Sequence, residues 1–570
     1  MITQVKVKYF KRFEDQTFDL TEHVVLAGPN NSGKTTLLQA VAVWNLSLQK
    51  WRAERGPETG SKAKLRTGVP LTRDEFTAIP LREVKFLWTN TLTALRKGEV
   101  ERGQKPGHPR VLEITLEGQT TEGPWKLTFE LRYQNSALVY VRPTTEQIND
   151  LQAAQDIKVV HIPPFSGIGI EETRYDRPFQ ALRIGQGKPG DILRNLLLEV
   201  HQQDNKDNWK NLCQQVEEIF GYRLLPPQYE GLPYILCEYL PGIPKGKGKN
   251  GLPKLDVSSA GSGFLQVLTL LGFLYARPAT VLLLDEPDAH LHVILQKQIY
   301  DRLRRIVAER KCQLIIATHS EVLVDGTSPD QVISFYGSPH PLLADVERDQ
   351  VREALKRLTA MDILLAEEAP GVLYVESESD FNLLSAWAQV LNHQPICQWL
   401  AQSPYWHSNQ GCHPREARDH FFALRAIKPQ MKGYLLLDGD NRGLADREIR
   451  ADGLVIGRWK RYETESYLIH PEALRRYAEK INTPLFASAG MEYLRDELPG
   501  AVLRDPLGDH DYLNRTPASK TLLPGFFKAA QVTLQKNDYY LVAEQMRLEE
   551  IAAEVKQKLD DIARAFGFDA

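Results

Sequence analysis

The chain has 570 residues, of which 42% are hydrophobic and 25% charged, and its formal net charge is −3. This length predicts more than one domain, because single hydrophobic cores stop growing well before it. The balanced charge excludes a protein-wide basic field for nucleic acid, so any such surface has to be local. Since the first residues contain no apolar signal segment and no apolar stretch is long enough to span a bilayer, we expect a cytoplasmic protein without membrane contact.

The cysteines form no CxxC pair, which argues against a disulfide framework and favours a reducing compartment. His393, Cys397, His407, Cys412 and His413 lie near one another along the chain. Their spacings match no zinc-binding pattern, so we interpret them as unrelated core and surface residues.

In chain order, alternating apolar residues first predict paired strands in ITQVKVKYF and QTFDL, followed by a buried strand in HVVLAG. Helical spacing follows in GKTTLLQAVAVWNLSLQKW. The predicted strands that come next are VLEITLEG, WKLTFELRY and ALVYVRP. Residues 190–221 then predict two amphipathic helices.

Strands and helices alternate again after residue 278, in ATVLLLDEP, CQLIIATHS and QVISFYG with helical segments between them. A turn-like EEAPG precedes a fresh strand, GVLYVES. We therefore predict one domain over residues 1–366 and a second over residues 367–570.

The segment GPNNSGKT fits the phosphate-binding pattern G-x-x-x-x-G-K-[ST], with a predicted strand before it and a helix after it. Its glycines let backbone N–H groups approach phosphate oxygens, and the helix N-terminus adds partial positive charge. We expect Lys34 to reach the β- and γ-phosphates of ATP and Thr35 to hold Mg²⁺. The predicted nucleotide-binding residues here are Gly28, Asn30, Asn31, Ser32, Gly33, Lys34, Thr35 and Thr36.

The segment VLLLDEPDAHLH is an apolar strand that ends in two acidic residues, Asp285 and Glu286. In a P-loop ATPase the first carboxylate positions the Mg²⁺ shell and the second polarises the attacking water. His319 stands at the end of the following strand, where it could sense the γ-phosphate. These residues complete a predicted ATP- and Mg²⁺-binding site with hydrolytic activity.

With these motifs in place, the chain resembles ABC-type ATPases of the SMC and DNA-repair kind. The segment SSAGSGFLQVLTLL resembles their signature loop, with Ser262, Gly263 and Gln266 as the contacts, or Ser259 and Gly261 in a rival register. That loop binds the γ-phosphate held by the other subunit. The resemblance therefore implies ATP between two ATPase domains and a homodimer or a higher even oligomer.

Two segments of this domain have open interpretations. Gln152 and Gln155 are candidates for the Q-loop by their order in the chain alone. The lysine-rich loop PGIPKGKGKNGLPK could touch DNA phosphates, since lysines neutralise phosphates without reading sequence. Such a loop is more often only solvated.

In the second domain, acidic residues follow predicted strands in VLYVESESD and YLLLDGD and lie near a third strand in RYETESYLI. The carboxylates are Glu376, Asp380, Asp438, Asp440, Glu463 and Glu465. Two aspartates one residue apart repel each other unless a cation lies between them. Oxygen ligands of this kind hold Mg²⁺ or Mn²⁺, and paired ions beside a phosphodiester stabilise the attacking and leaving oxygens.

A strand ending in Glu, followed later by a strand ending in Asp-x-Asp, resembles the Toprim fold of topoisomerases, primases and several nucleases. RYETESYL resembles the segment that follows Toprim in the overcoming-lysogenisation-defect (OLD) family. That resemblance covers nearly the whole chain. It implies an α/β architecture: an ABC-type P-loop ATPase domain with a helical insertion, then a Toprim domain with a parallel sheet and a C-terminal helical region.

The OLD resemblance also implies functions for particular residues. Glu376, Asp380, Asp438, Asp440 and Glu465 would be ligands of Mg²⁺ or Mn²⁺, in a site for two ions. Lys520 would neutralise charge at the cleaved phosphate, with Lys528 as the nearby alternative. Where the family has glycine after its glutamate this chain has Ser377, which makes Glu378 a competing ligand. Residues of about 165–230 would form a dimerisation arm, with an internal helical subdomain as the ordinary alternative.

These expectations describe an ATP-dependent, metal-dependent DNA endonuclease in phage defence or DNA processing, with a partner such as a helicase. The rival prediction is an ATP-driven DNA-binding clamp whose Toprim domain does not cut. A topoisomerase or primase is weaker, because neither a breakage-domain tyrosine nor a zinc module is identifiable in the sequence.

Overall fold

The computed structural model describes residues 1–56, 67–96, 107–120, 123–144, 148–242, 252–402, 404–408, 414–440 and 451–568. The chain divides into two compact units, Met1–Val351 and Arg352–Ala570. The boundary predicted after residue 366 falls inside the helix Ala360–Glu368 and stays a prediction. Most of the lysine-rich loop, as well as Cys412 and His413, lies outside the described residues.

The strands of the first unit form three sheets. They are β1 (Ile2–Phe10), β2 (Phe13–Asp19), β3 (His23–Ala27), β4 (Val69–Thr72), β5 (Leu112–Thr120), β6 (Gly123–Asn135), β7 (Leu138–Thr144), β8 (Val159–Ile162), β9 (Arg223–Leu224), β10 (Glu238–Leu240), β11 (Leu255–Asp256), β12 (Val281–Asp285), β13 (Gln313–Thr318), β14 (Val332–Ser334) and β15 (His340–Pro341). The sheet orders are β2-β1-β5-β6-β7-β4, β11-β10-β9 and β15-β14-β3-β13-β12-β8.

The third of these sheets carries the nucleotide motifs. Strands β14, β3, β13, β12 and β8 pair in parallel, and only the short β15 is antiparallel to its neighbour. Every residue of β12 and β13 is buried, as expected for central parallel strands covered on both faces. Because parallel strands end at the same edge, the loops after β3, β12 and β13 meet there.

The helices of the first unit pack between and around these sheets. They are α1 (Lys34–Arg55), α2 (Ile148–Ala153), α3 (Arg177–Gly185), α4 (Leu193–Gln202), α5 (Lys206–Phe220), α6 (Ser262–Ala276), α7 (Val293–Glu309) and α8 (Glu321–Asp325), with α9 (Asp345–Arg357) crossing the division between the units. Helix α1 contacts strands of both six-stranded sheets. Its Trp44 is fully buried and donates a hydrogen bond to the carbonyl of Leu127 at 3.0 Å.

Helices α4 and α5 are the amphipathic pair predicted at residues 190–221. Both contact α6 of their own unit, and Leu193 and Leu196 of α4 are fully buried. This packing agrees with the internal helical subdomain, while the dimerisation arm stays a prediction.

The second unit contains one parallel sheet and a set of helices. Its strands are β16 (Val372–Val375), β17 (Trp406–Ser408), β18 (Gly433–Leu437) and β19 (Leu454–Arg458), in the order β17-β16-β18-β19. All three pairings are parallel. The helices are α10 (Ala360–Glu368), α11 (Glu378–Val390), α12 (Gln394–Ala401), α13 (Pro414–Leu424), α14 (Pro471–Ile481), α15 (Pro484–Glu497), α16 (Gly500–Arg504), α17 (Asp511–Arg515), α18 (Leu523–Ala529), α19 (Tyr540–Ala543) and α20 (Ala553–Phe566).

The core of the second unit joins the sheet to the C-terminal helices. Trp387 of α11 is fully buried and packs in one cluster with Phe526 of α18 and Leu559 of α20. Among the helices of the described residues, none is both long and apolar enough to cross a membrane.

Candidate functional sites

The phosphate-binding segment forms the turn between β3 and α1. At Gly33 φ is +113°, and a Cβ there would lie 2.7 Å from the Phe13 ring. Both the positive φ and the close approach require glycine. Asn30, Asn31, Ser32 and Thr36 line a cleft of about 480 Å³ together with the residues described below.

Lys34 is the first residue of α1, and its ammonium group turns back into the loop. Its Nζ donates hydrogen bonds to the carbonyls of Gly28 at 2.7 Å and Pro29 at 2.8 Å, and lies 3.1 Å from Nε2 of His319. Burial lowers the pKa of Lys34 to about 8. The lysine is therefore held at the mouth of the cleft, where a phosphate would replace carbonyl oxygens as its partner.

Thr35 and Asp285 meet across 250 residues of sequence. The Thr35 hydroxyl donates to Oδ1 of Asp285 at 3.0 Å, because β12 ends beside the start of α1. Burial raises the pKa of Asp285 to about 6. Its Oδ2 is buried without a hydrogen-bond partner in the described part of the chain. A hydroxyl beside a partly unsatisfied carboxylate fits a Mg²⁺ ion, so these two residues would hold the metal of the nucleotide.

Glu286 and His319 face each other at the edge of the same cleft. Oε1 of Glu286 lies 3.2 Å from Nε2 of His319, and Glu286 has a φ of +52°, which turns it away from the strand direction. The hydrogen bond from His319 lowers the pKa of Glu286 despite its partial burial. Glu286 is therefore ionised at neutral pH, as a general base for water requires.

The cleft contains two cations that sequence reasoning did not assign. Lys11 and Arg12 lie in the tight turn between β1 and β2, where Lys11 hydrogen-bonds Gln39 and Arg12 donates to the carbonyl of Asn31. Burial lowers the pKa of Lys11 to about 8. The only signal in the sequence was a pair of basic residues in the first hairpin, whose nearness to the phosphate loop depends on the sheet packing.

The predicted signature loop lies at the start of α6. Ser259, Gly261 and Ser262 are exposed, and Gly263 is half-buried. Gln266 is instead buried, and its amide donates to the carbonyls of Pro287 at 2.9 Å and Glu286 at 3.2 Å. Gln266 thus braces the turn after β12 of the same chain, and its predicted contact with a second subunit's nucleotide stays a prediction.

An ion pair holds in place residues 258–262 at the start of α6, here called the serine loop. Asp256 accepts hydrogen bonds from the backbone N–H of Ser258 at 2.8 Å and from its hydroxyl at 2.6 Å. Arg194 of α4, which is only 1% exposed, donates two hydrogen bonds to the same carboxylate, at 2.8 and 2.9 Å. This pair fixes the loop to the helical layer formed by α4, α5 and α6, and the sequence contained no local sign of it.

Gln152, the Q-loop candidate with a described side chain, is exposed on α2.

In the second unit, the ends of two adjacent parallel strands bring acidic residues together. Glu376 follows β16 and Asp438 follows β18. After β19, a 3₁₀ helix, Thr464–Leu468, carries Glu465. Oδ1 of Asp438 accepts hydrogen bonds from the Thr464 N–H at 3.1 Å and its hydroxyl at 3.3 Å. The predicted strand-end arrangement therefore places these acidic residues at the same edge of the sheet.

Ser377 is the N-cap residue before helix α11 and has ordinary extended geometry, with φ −148° and ψ 169°. Its N–H and hydroxyl donate to Oδ2 of Asp380 at 2.9 and 3.2 Å, forming a capping box. Glycine is thus not needed at this position for conformational reasons. The competing ligand Glu378 is exposed on the first turn of α11.

The cluster of Glu376, Asp380, Asp438 and Glu465, here called the acidic cluster, is electrostatically crowded. Burial and then the neighbouring carboxylates raise the pKa of Asp438 far above its usual range, and burial together with Glu465 raises the pKa of Asp380. Glu465 is 1% exposed, and its Oε2 is buried without a hydrogen-bond partner in the described residues. These oxygens fit a divalent cation, which would relieve both the repulsion and the missing bond.

The cation that the structure places at this cluster is Lys536. Its Nζ lies 3.0 Å from Oε1 of Glu465, whose other contact on that oxygen is the Ser379 hydroxyl at 3.1 Å. Lys520 and Lys528 are exposed and form no ion pair in the described residues. The assignment of Lys520 from the family resemblance stays a prediction, while the segment before α19 brings Lys536 to the carboxylates.

Asp440 differs from the other predicted ligands because it is exposed. Its backbone N–H donates to the carbonyl of Tyr462 at 3.2 Å. Between the two aspartates, a Cβ on Gly439 would lie 2.2 Å from the carbonyl oxygen of Arg461. The glycine of DGD is thus required by close packing. Glu463 accepts a hydrogen bond from the Ser519 N–H.

The ligand atoms of the acidic cluster are not the most compact set in this unit. Within the described residues, one group of three potential metal ligands has all its ligand atoms within 4.8 Å of one another: Asp362, His407 and His420. His407, which the sequence analysis interpreted as one of several unrelated core and surface residues, therefore has two potential metal ligands beside it. Asp362 and His420 were not identified, because no regular spacing connects them.

Comparison with known proteins supports the first of these sites. The family model described as "AAA domain, putative AbiEii toxin, Type IV TA system" matches residues 245–325, which include the serine loop and the strands that carry Glu286 and His319. Together with the geometry of the phosphate-binding turn, this match supports an ATP-binding P-loop ATPase domain. No curated protein matches the chain.

Among solved structures, the similar ones include three SMC head domains. An SMC head bound to the C-winged helix domain of ScpA is 17% identical, with a TM-score of 0.34 over 58% of this chain and 94% of that one. The SMC head domain from Thermotoga maritima is 13% identical, with a TM-score of 0.30 over 60% and 99%. An SMC head with an extended coiled coil, bound to the C-terminal domain of ScpA derived from Pyrococcus furiosus, is 15% identical, with a TM-score of 0.32 over 58% and 92%.

Proposed function

We propose that the chain is an ATPase whose second unit cleaves DNA in a divalent-metal-dependent reaction, in the manner of the OLD family. The observation that carries this proposal is the acidic cluster, in which Glu376, Asp380, Asp438 and Glu465 lie at one edge of a parallel sheet with Lys536 beside them. Carboxylates on neighbouring strand ends are the usual oxygen ligands of Mg²⁺ or Mn²⁺.

In such a site the carboxylates of the cluster would bind the metal ions, and Lys536 would neutralise charge on the phosphate. Bound ions would polarise the phosphodiester and stabilise the attacking and leaving oxygens. Asp438 and Glu465 are held in place by Thr464 and Ser379, so their free oxygens have fixed positions. Asp380 is fixed by Ser377. Lys536, whose side chain is about half exposed, can neutralise a phosphate oxygen.

The ATPase unit would control this activity through a homodimer. Ser259, Gly261 and Ser262 are exposed at the start of α6, as a loop that contacts a second subunit's γ-phosphate must be. Glu286 would activate the water that ends the ATP-bound state. Phage defence or DNA processing, and a partner such as a helicase, belong to this proposal through the family resemblance.

The test is cleavage of supercoiled plasmid with Mg²⁺ or Mn²⁺, with and without ATP. We expect wild type and Glu378→Ala, whose side chain is an exposed neighbour of the cluster, to nick or linearise the plasmid. Asp438→Ala should lose cleavage and keep ATP hydrolysis, which shows that the variant is folded. Cleavage that persists in Asp438→Ala would refute the site.

The same assay distinguishes a nuclease from the rival predictions, a DNA-binding clamp and a topoisomerase. DNA binding without nicked or linear product, at any ATP concentration, would indicate a clamp. Relaxed and religated plasmid would indicate a topoisomerase. Parallel reactions with single-stranded DNA and RNA define the substrate class.

A further inference from the structure

Asp362, His407 and His420 come together from three separate elements of the second unit. Asp362 lies on α10, His407 on the edge strand β17 and His420 on α13. Oδ1 of Asp362 is 3.7 Å from Nε2 of His420, and the two imidazole rings are 4.1 Å apart between centroids. One ligand atom from each residue lies within 4.8 Å of the other two.

Two nitrogen atoms in this group are buried and have no hydrogen-bond partner among the residues that the structure describes. They are Nε2 of His420 and Nδ1 of His407. The distance of 3.7 Å from His420 to Asp362 is too long for a hydrogen bond. Buried polar atoms are almost always satisfied, so two adjacent exceptions within the described residues are what a shared bound ligand would leave.

Two of the three residues, Asp362 and His420, are held in place by further contacts. The Tyr374 hydroxyl is 2.9 Å from Nδ1 of His420, and the Tyr405 hydroxyl donates to Oδ1 of Asp362 at 3.0 Å. Thr359 donates to the other oxygen of Asp362, at 2.9 Å from its N–H and 2.7 Å from its hydroxyl. When Nδ1 of His420 donates to Tyr374, the lone pair of Nε2 faces the group. Metal-binding histidines are oriented by such outer contacts.

We propose that Asp362, His407 and His420 bind a zinc ion that links α10 and α13 to the edge of the parallel sheet. Ligands about 2.1 Å from a tetrahedral ion lie about 3.4 Å from one another, close to the separation of Asp362 and His420. Three protein ligands leave one position for water. Imidazole favours zinc where carboxylates alone favour Mg²⁺ or Mn²⁺, so this site and the acidic cluster select different metals.

Zinc binding at this group is independent of DNA cleavage, so the experiment measures it in a variant in which cleavage is disabled. Full-length protein carrying Asp438→Ala, which disables the acidic cluster, serves as the background. It is stripped with chelator, given Zn²⁺ and desalted, and the bound metal is measured by atomic emission. Replacement by Co²⁺ reports imidazole ligation through the visible absorption spectrum.

We expect one zinc per chain in the background protein and in a matched control, His470→Ala. His470 likewise has a buried Nδ1 without a hydrogen-bond partner in the described residues, but it does not belong to the group. His407→Ala and His420→Ala should lose the zinc. Tyr374→Phe keeps all three ligands, and we expect its zinc affinity to fall about 10- to 100-fold, the usual effect of removing an outer contact.

Two results would overturn the proposal. The first is a background protein that retains no zinc and shows no cobalt spectrum, which would make the group a metal-free hydrogen-bonded network. The second is equal zinc content in His407→Ala, His420→Ala and the His470→Ala control. If the histidine variants fail to fold, the zinc affinity of Tyr374→Phe tests the proposal instead. An affinity equal to that of the background protein would contradict ligation by His420.

Discussion

Nζ of Lys536 lies 3.0 Å from Oε1 of Glu465, a carboxylate that is 1% exposed. The Glu465 carboxylate raises the pKa of this lysine above its ordinary value, against the effect of its own burial. Lys536 is thus a fixed positive charge beside four crowded carboxylates. This contact selects it, among the lysines of the C-terminal region, as the residue that would meet a phosphate at the cluster.

The first prediction compares two lysines. Under the proposed function, Lys536→Ala should reduce the initial rate of plasmid cleavage by about 10²-fold or more, since it removes a charge positioned at the reacting phosphate. Lys520→Ala should change the rate little, because that side chain is exposed and unpaired in the described residues. ATP hydrolysis is the folding control. A loss of cleavage in Lys520→Ala alone would restore the assignment made from the sequence.

The second prediction concerns the general base. Glu286→Gln should keep ATP binding and lose hydrolysis by about 10²-fold or more, because the amide cannot take a proton from water. If ATP lies between two subunits, this variant should also accumulate as an ATP-dependent dimer in light scattering. Lys34→Ala, which lacks the phosphate-binding ammonium, should show neither binding nor dimer. Hydrolysis at the wild-type rate in Glu286→Gln would exclude Glu286 as the base.

The third prediction is the pH dependence of nucleotide binding. Burial lowers the pKa of Lys34 to about 8, so the free site loses its ammonium charge as the pH rises through that value. Phosphate oxygens favour the charged form, and binding above this pH must take up a proton. We expect the Kd for ATP to increase up to about tenfold per pH unit above pH 8.

Calorimetry in two buffers of different ionisation enthalpy measures this proton uptake directly. Lys11, whose pKa burial also lowers to about 8, lines the same cleft. The proton uptake that remains in Lys11→Gln is therefore due to Lys34, and the difference from wild type is due to Lys11. A Kd that stays constant from neutral to alkaline pH would contradict a buried, titrating lysine at the phosphates.

The fourth prediction concerns the support of the serine loop. Arg194→Ala should leave the affinity for ATP nearly unchanged but reduce hydrolysis by about tenfold or more, because Asp256 would no longer hold the loop in place. Arg277→Ala is the matched control. Arg277 is also a largely buried arginine paired with a carboxylate, Glu199 at 2.9 Å, and it also hydrogen-bonds Gln180, which lies outside the loop. Equal losses in both variants would indicate general damage to the helical layer.

The fifth prediction tests the packing of the Asp-Gly-Asp turn. Gly439→Ala places a Cβ 2.2 Å from the Arg461 carbonyl, so we expect the free energy of unfolding to fall by about 1–3 kcal/mol, the usual cost of overpacking. Gly500→Ala, where a Cβ would meet nothing within 4 Å, is the control. Chemical denaturation of the full chain measures both, and equal stability of the two variants would contradict the close approach.

Local motifs were predictable because their chemistry is contained in a few consecutive residues. GPNNSGKT specifies a loop that bonds phosphate through its own backbone, and an apolar run ending in Asp285 specifies a buried strand with an acid at its end. Parallel pairing then brings strand ends to one edge of a sheet, which is why Thr35 meets Asp285 and why Glu376 and Asp438 follow adjacent strands. The amphipathic pair α4 and α5 was equally visible as a period of apolar residues.

The sequence by itself determined the phosphate-binding turn, the acidic strand ends and the alternation of strands and helices. Only the tertiary structure decided that Lys536 lies beside Glu465 and that Arg194 holds the serine loop. It also decided that Gln266 bonds the turn after β12, and that His407 has Asp362 and His420 beside it. The physical reason is that backbone geometry and apolar period are local properties of the chain. Contacts between side chains from distant segments are set by how helices pack on the sheets, and no spacing in the sequence records that.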